Sequence, residues 1–128
     1  MRYLTPIILR AVCAFAVMTA GVGMASAAGA LAVGACGAYG QSFGYRTVDT
    51  AQDSALQQCN SPGCRIVATL RKSCAALAVD VVNPCRAHGA GHASYLGAAQ
   101  NDALRKCYRD GGKDCVIRTF VCDGRHKG

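Results

Sequence analysis

Apolar positions along this chain follow distinct patterns. From Ala11 to Met24 they run together without a charge, rich in Gly and Ala. Farther on, Ala30-Leu31-Ala32-Val33 and Ala76-Leu77-Ala78-Val79 are short and apolar at every position, which reads as strand. Helical spacing takes over in two later stretches. Val48, Ala51, Ala55, Leu56 and Cys59 share one helical face, as do Leu96, Ala99, Ala103, Leu104 and Cys107. Thr47 stands where a helix N-cap belongs, with Asp49 in the first turn, and Ser94 can cap the second helix. Asn60-Ser61-Pro62-Gly63 and Asp110-Gly111-Gly112-Lys113 are turn sequences that stop these helices.

The patterns repeat. Cys36-Gly37-Ala38-Tyr39-Gly40 matches Cys85-Arg86-Ala87-His88-Gly89. Ala51-Gln52, Ala55-Leu56 and Cys59 match Ala99-Gln100, Ala103-Leu104 and Cys107 at identical spacing. Cys64-Arg65-Ile66 matches Cys115-Val116-Ile117, and Cys74 and Cys122 each close a unit. Self-similarity in a fixed order marks a duplicated structural unit. The units run from about residue 30 to 74 and from 76 to 122. Each reads as an apolar strand (30–34; 76–81), a Gly-rich strand (39–45; 87–93), a helix and a closing strand (65–70; 116–121). The expected fold is α+β, a pseudo-two-fold duplicate of a β-β-α-β unit. It would form one mostly antiparallel sheet with both helices on one face, stapled by disulfides.

The N-terminus stands apart from this domain. Arg2 and Arg10 precede the apolar run, and Ala25-Ser26-Ala27 presents small residues where a signal peptidase cuts. That layout predicts a cleavable export signal over residues 1–27. An uncleaved anchor is the alternative, but the run falls short of the roughly 20 strongly apolar residues of a membrane span. Val33-Gly34-Ala35-Cys36 loosely resembles a lipid-attachment box but lies far downstream. Residues 28–123 form the expected domain, and 124–128 a basic flexible tail. The expected location is secreted or periplasmic, with no transmembrane segment after cleavage.

Cleavage changes the charge and the cysteine count. It leaves twelve basic residues against seven acids, all Asp, a net charge of +5. Such a charge favours anionic envelope partners or serves solubility alone. The basic residues do not interleave with Tyr39, Phe43, Tyr45, Tyr95, Tyr108 and Phe120 in a nucleic-acid signature. Of nine cysteines, Cys13 leaves with the signal. The even remainder is Cys36, Cys59, Cys64, Cys74, Cys85, Cys107, Cys115 and Cys122, a disulfide framework in an oxidising compartment. Zinc is the rival, but only Cys59 and Cys64 approach its spacing. Symmetry favours Cys59–Cys64 and its counterpart Cys107–Cys115. Pairing Cys36 with Cys85 and Cys74 with Cys122 would then join equivalent positions of the two units.

Several of these motifs together resemble the bacterial family called domain of unknown function 4189. They are Gly29 to Gly34, Tyr39-Gly40, Ala55-Leu56 before Cys59, Cys74 to Val79, and Phe120-Val121-Cys122. The resemblance covers about residues 29–123 and implies a small exported α+β domain. The family has no established catalytic residues to carry over. Its members often hold aromatics in the second Gly-rich strand, where this chain has His88-Gly89-Ala90-Gly91-His92.

No reaction motif emerges. His88 and His92 lie about 13 Å apart on a strand, too far to share one ion without other ligands. Asp49, Asp53 and Asp102 sit on helices, and Asp110 and Asp114 flank a turn. Ser42 and Ser73 have no His nearby in sequence. Thiol exchange would want Cys-x-x-Cys at a helix start, whereas Cys59 and Cys107 fall at helix ends. The expectation is a non-enzymatic, monomeric binding module with no metal or cofactor, with an inhibitor or immunity-type protein as its specific form. The alternatives are an envelope protein held on anionic polymer and a cell-wall hydrolase using Asp80, His88 and His92.

Overall fold

The computed structural model describes residues 27–124. The expected export signal, apart from its last residue, and all but the first residue of the basic tail lie outside the described residues. Strands β1 (Ala28–Val33) and β2 (Tyr39–Tyr45), helix α1 (Val48–Cys59) and strand β3 (Arg65–Leu70) make the first unit. Strands β4 (Ser73–Asp80) and β5 (His88–Ala93), helix α2 (Leu96–Arg109) and strand β6 (Cys115–Asp123) make the second. The β-β-α-β order therefore occurs twice. The unit boundary falls between Leu70 and Ser73 rather than after Cys74.

The single sheet with both helices on one face needs correction. The strands form two three-stranded antiparallel sheets, ordered β2-β1-β3 and β5-β4-β6. Leu31 and Val33 of β1 cluster with Leu77 and Val79 of β4, together with Leu70 and Val121. The alternate residues Ala28, Ala30 and Ala32 face α1, and Cys74, Ala76 and Ala78 face α2. Each helix thus covers its own sheet, and the two sheets meet face to face between them.

The physical reason is the two-sided apolarity of the central strands. One sheet with both helices on one face would leave Leu31, Val33, Leu77 and Val79 in water. Burying each contributes about 1.5–3 kcal/mol, and joining the two inner faces captures that. The outward positions are small because the helices ride close. A Cβ built on Gly40 would collide with the Ala55 carbonyl oxygen, and one on Gly91 with that of Ala99.

The units share a hydrogen-bond plan. Gly34 N donates to Ala38 O (2.8 Å), as Asp80 N does to Ala87 O (3.0 Å). Ala35 N donates to Pro62 O (3.2 Å), as Val81 N does to Asp114 O (2.9 Å). The helix starts differ. Thr47 Oγ1 accepts from Thr50 N (3.2 Å), and Asn60 ends α1 in the left-handed region at φ 34°. The N-cap of α2 is Tyr95 rather than Ser94, without a side-chain bond.

Disulfides join Cys59 to Cys64, Cys107 to Cys115, Cys36 to Cys85 and Cys74 to Cys122. Cys36–Cys85 crosses between the units, at exposed turns. Cys74–Cys122 does not cross, because both residues belong to the second sheet, opposite each other on β4 and β6. That position corrects the expectation of a second bridge between equivalent sites. The eight cysteines are spent as disulfides, which removes the thiolates that zinc would need.

Candidate functional site

The residues first considered for hydrolysis do not converge. Asp80 is buried at the end of β4, where its carboxylate accepts from Val82 N (3.0 Å) and Lys113 N (3.3 Å). Burial pushes its pKa up, but those backbone bonds, one from Asn83 and the charge of Arg86 outweigh it. The carboxyl lies below its ordinary value. Asp80 is therefore an anchor for the α2–β6 turn. His88 and His92 lie at opposite ends of β5, opposite Val79 and Ala75 of β4.

Folding does create a serine–histidine contact that sequence distance hid. Ser73 Oγ lies 3.0 Å from His92 Nε2. Among the described residues no acid holds the other ring nitrogen, and neither residue lines a described cavity. A nucleophile–base pair needs an orienting group and a place for substrate. Ser42 is spent structurally, with its hydroxyl donating to Ala51 O (2.6 Å). Among the described residues no group of three His, Cys, Asp or Glu could hold a metal ion.

A larger feature opens between the sheets, on the side where β3 faces β5. It is a cavity of about 740 Å³ whose walls include Val67, His88 and Ala90 and whose rim carries Arg65, Lys106, Arg109 and Asp110. A β-bulge shapes it. Leu31 pairs with Ala68 while Ala32 pairs with Ile66, so Val67 is skipped. Ile66 then packs toward α1, whereas Val67 and Ala68 both reach the inner cluster. A bulge re-aims a side chain, and here the bulged Val67 lines the cavity beside Arg65.

The electrostatics are one-sided. Lys106 Nζ is engaged, 3.0 Å from Asp102 Oδ2 and 3.1 Å from Ala90 O at the open edge of β5. Asp102 is pushed up by partial burial but pulled further down by the hydrogen bond and charge of Lys106, the His92 backbone and Arg105, so its pKa is lowered. Asp110 Oδ2 accepts from His88 N (3.4 Å). Arg65 and Arg109 make no ion pair among the described residues. His88 Nδ1 is buried without a partner.

The pseudo-symmetric seam, between β2 and β6, is closed at the equivalent place. Thr119 Oγ1 donates to Gln41 Oε1 (2.7 Å). Strand register makes Gln41 the equivalent of Ala90 and Thr119 that of Ala68. Two alanines therefore stand where the other seam has a bridging pair. Farther along the β2–β6 seam, the exposed rings of Phe43 and Phe120 flank a groove of about 320 Å³.

Four disulfides fit an oxidising, non-cytoplasmic setting. No helix among the described residues is long and apolar enough to cross a membrane. No curated protein matches the chain. The fold is similar to the NMR structure of Rv1813c from Mycobacterium tuberculosis, at 25% identity and a TM-score of 0.55, covering 75% of this chain and 74% of that one. Residues 28–122 match the family described as domain of unknown function DUF4189, and the chain belongs to that family.

Proposed function

We propose that this chain is an exported binding module that engages an envelope or extracellular partner through the cleft between β3 and β5. The supporting observation is the cleft itself, built from both units and open where the equivalent seam is bridged. Its volume falls in the range of roughly 300–1,000 Å³ typical of ligand sites. The scaffold suits binding because its walls are fixed by stapled sheets, so little ordering is lost on association. No catalytic step enters this reading. The exposed Ser73–His92 pair lies outside the cleft walls and lacks an orienting acid among the described residues.

The test is retention of partner from periplasmic or culture fractions under non-reducing conditions. The wild-type protein is compared with an Ala68→Thr/Ala90→Gln variant that copies the closed seam. Ala90→Gln alone is the milder control, and an unchanged urea midpoint checks folding. A partner retained by wild type and lost by the closed variant supports the reading. Equal retention by both, or no retained partner, overturns it.

A further inference from the structure

We infer that the β3–β5 cleft holds a phosphate group; this rests on the cleft being the binding surface. Cationic side chains reach its rim from separate elements. Arg65 comes from β3, and Lys106 and Arg109 come from the last turn of α2. Asp110 is the one acid on the wall, and it is turned to the backbone of β5 through its contact with His88 N.

Helix-end bases are often explained by the helix dipole, which favours cations at the C-terminus. That explanation is incomplete here. Helix α1 has no basic residue in its last turn. Arg65 lies on a strand and owes nothing to a helix end. Two guanidinium groups without ion-pair partners among the described residues line the same space, which is large enough for a ligand. Guanidinium forks match phosphate oxygens in pairs, which makes arginine a preferred partner for that group. His88 adds a ring with no hydrogen-bond partner on either nitrogen among the described residues, in the same wall.

The duplicate supplies an internal control. At the equivalents of Arg65, His88, Lys106 and Arg109 the β2–β6 seam carries Val116, Tyr39, Gln58 and Ser61, and at that of Val67 it carries Arg118. Gln58 Oε1 accepts from Gln41 N (3.4 Å), which is edge-strand capping without charge. One seam is thus bridged and carries a single cation, Arg118, at these positions, whereas the other is open and gathers Arg65, Lys106 and Arg109. Scaffold stability alone does not require the second arrangement.

The experiment is a titration of the isotope-labelled protein with inorganic phosphate, followed through the backbone amides of Gly34, Gly63 and Gly89. A parallel arm uses phosphatidylglycerol vesicles with phosphatidylcholine vesicles as control. Saturable shifts confined to the cleft are expected, with Kd weakened roughly tenfold or more by Arg65→Gln/Arg109→Gln. The closed Ala68→Thr/Ala90→Gln variant should abolish the shifts. If vesicles then compete with inorganic phosphate for the same amides, the group is carried on a lipid headgroup. Unsaturable shifts spread over all arginines, or vesicle binding without a cleft response to phosphate, would overturn the site. Partner retention that survives Arg65→Gln/Arg109→Gln but not the closed variant would overturn phosphate and leave the binding reading standing. Retention insensitive to both variants would remove the two together.

Discussion

The two seams between the sheets have the same backbone and different contents. At one, Gln41 and Thr119 bridge β2 to β6. At the other, Ala90 and Ala68 occupy the equivalent positions and a cleft remains. Both seams include a strand bulge at equivalent residues, Val67 in β3 and Arg118 in β6, each skipped in the pairing. The duplicate fixes the frame, while the side chains at equivalent positions decide whether a seam is bridged across or left open. It also separates conserved geometry from diverged chemistry within one molecule. The glycines that admit the helices recur in both units, whereas the cluster of three cations lies at one seam, to which both units contribute.

The largest expected effects fall on the shared frame. Gly40→Val and Gly91→Val each drive a side chain into helix backbone. Overpacking typically costs about 1–3 kcal/mol, and more where only backbone can yield. Both variants should lose cooperative urea unfolding to a similar degree. A folded Gly91→Val beside an unfolded Gly40→Val would break the equivalence of the two units.

Next comes the bridge that only the second unit owns. Replacing Cys74 and Cys122 together with Ala should cost about 2–4 kcal/mol in denaturant titrations. The Cys59/Cys64 pair closes a much shorter loop, with a sequence separation of 5 against 48, and should cost less. Equal losses would show that local packing, not chain closure, sets the contribution.

The seam itself is tested by Gln41→Ala. Removing the bridge should cost about 1 kcal/mol and open a second cleft beside β2, where Arg118 is the single cation at the equivalent positions. Amide shifts with inorganic phosphate should not appear there. Phosphate binding at that opened seam would detach the proposed site from its cationic rim.

The smallest effect at neutral pH concerns the turn of the second unit. Asp80 has a lowered pKa in the folded chain, so its contribution is complete above the ordinary carboxylate value of about 3.9. That contribution is lost as pH falls through the lower, folded value. Urea midpoints of the wild-type protein should therefore hold steady near neutrality and decline below about pH 4. In Asp80→Asn this part of the acid limb should flatten. An unchanged acid limb would assign it to other carboxylates.

Much of this was legible in the residues. The repeat located both units, the helical faces and the equivalence of cysteines, because each depends on local periodicity or on spacing along the chain. The signal for two sheets was also present, in Ala30 to Val33 and Ala76 to Val79. Strands apolar at every position are covered on both faces, which one sheet with helices on a single face does not provide. The Ser73–His92 contact had no comparable signal, because adjacent strands bring together residues that lie far apart in the chain.

By itself, then, the sequence determined the elements, their duplication and the cysteine framework. These follow from residue type and spacing, through helix and strand periods and the symmetry of a repeat. Tertiary structure alone decided that the sheets face each other with a helix outside each, and that Cys74–Cys122 lies within one sheet. It also decided that one seam is bridged and the other hollow. Those outcomes depend on which strand face meets which, on where a bulge shifts the register, and on the space left between alanines. Such distances are set only when the layers pack.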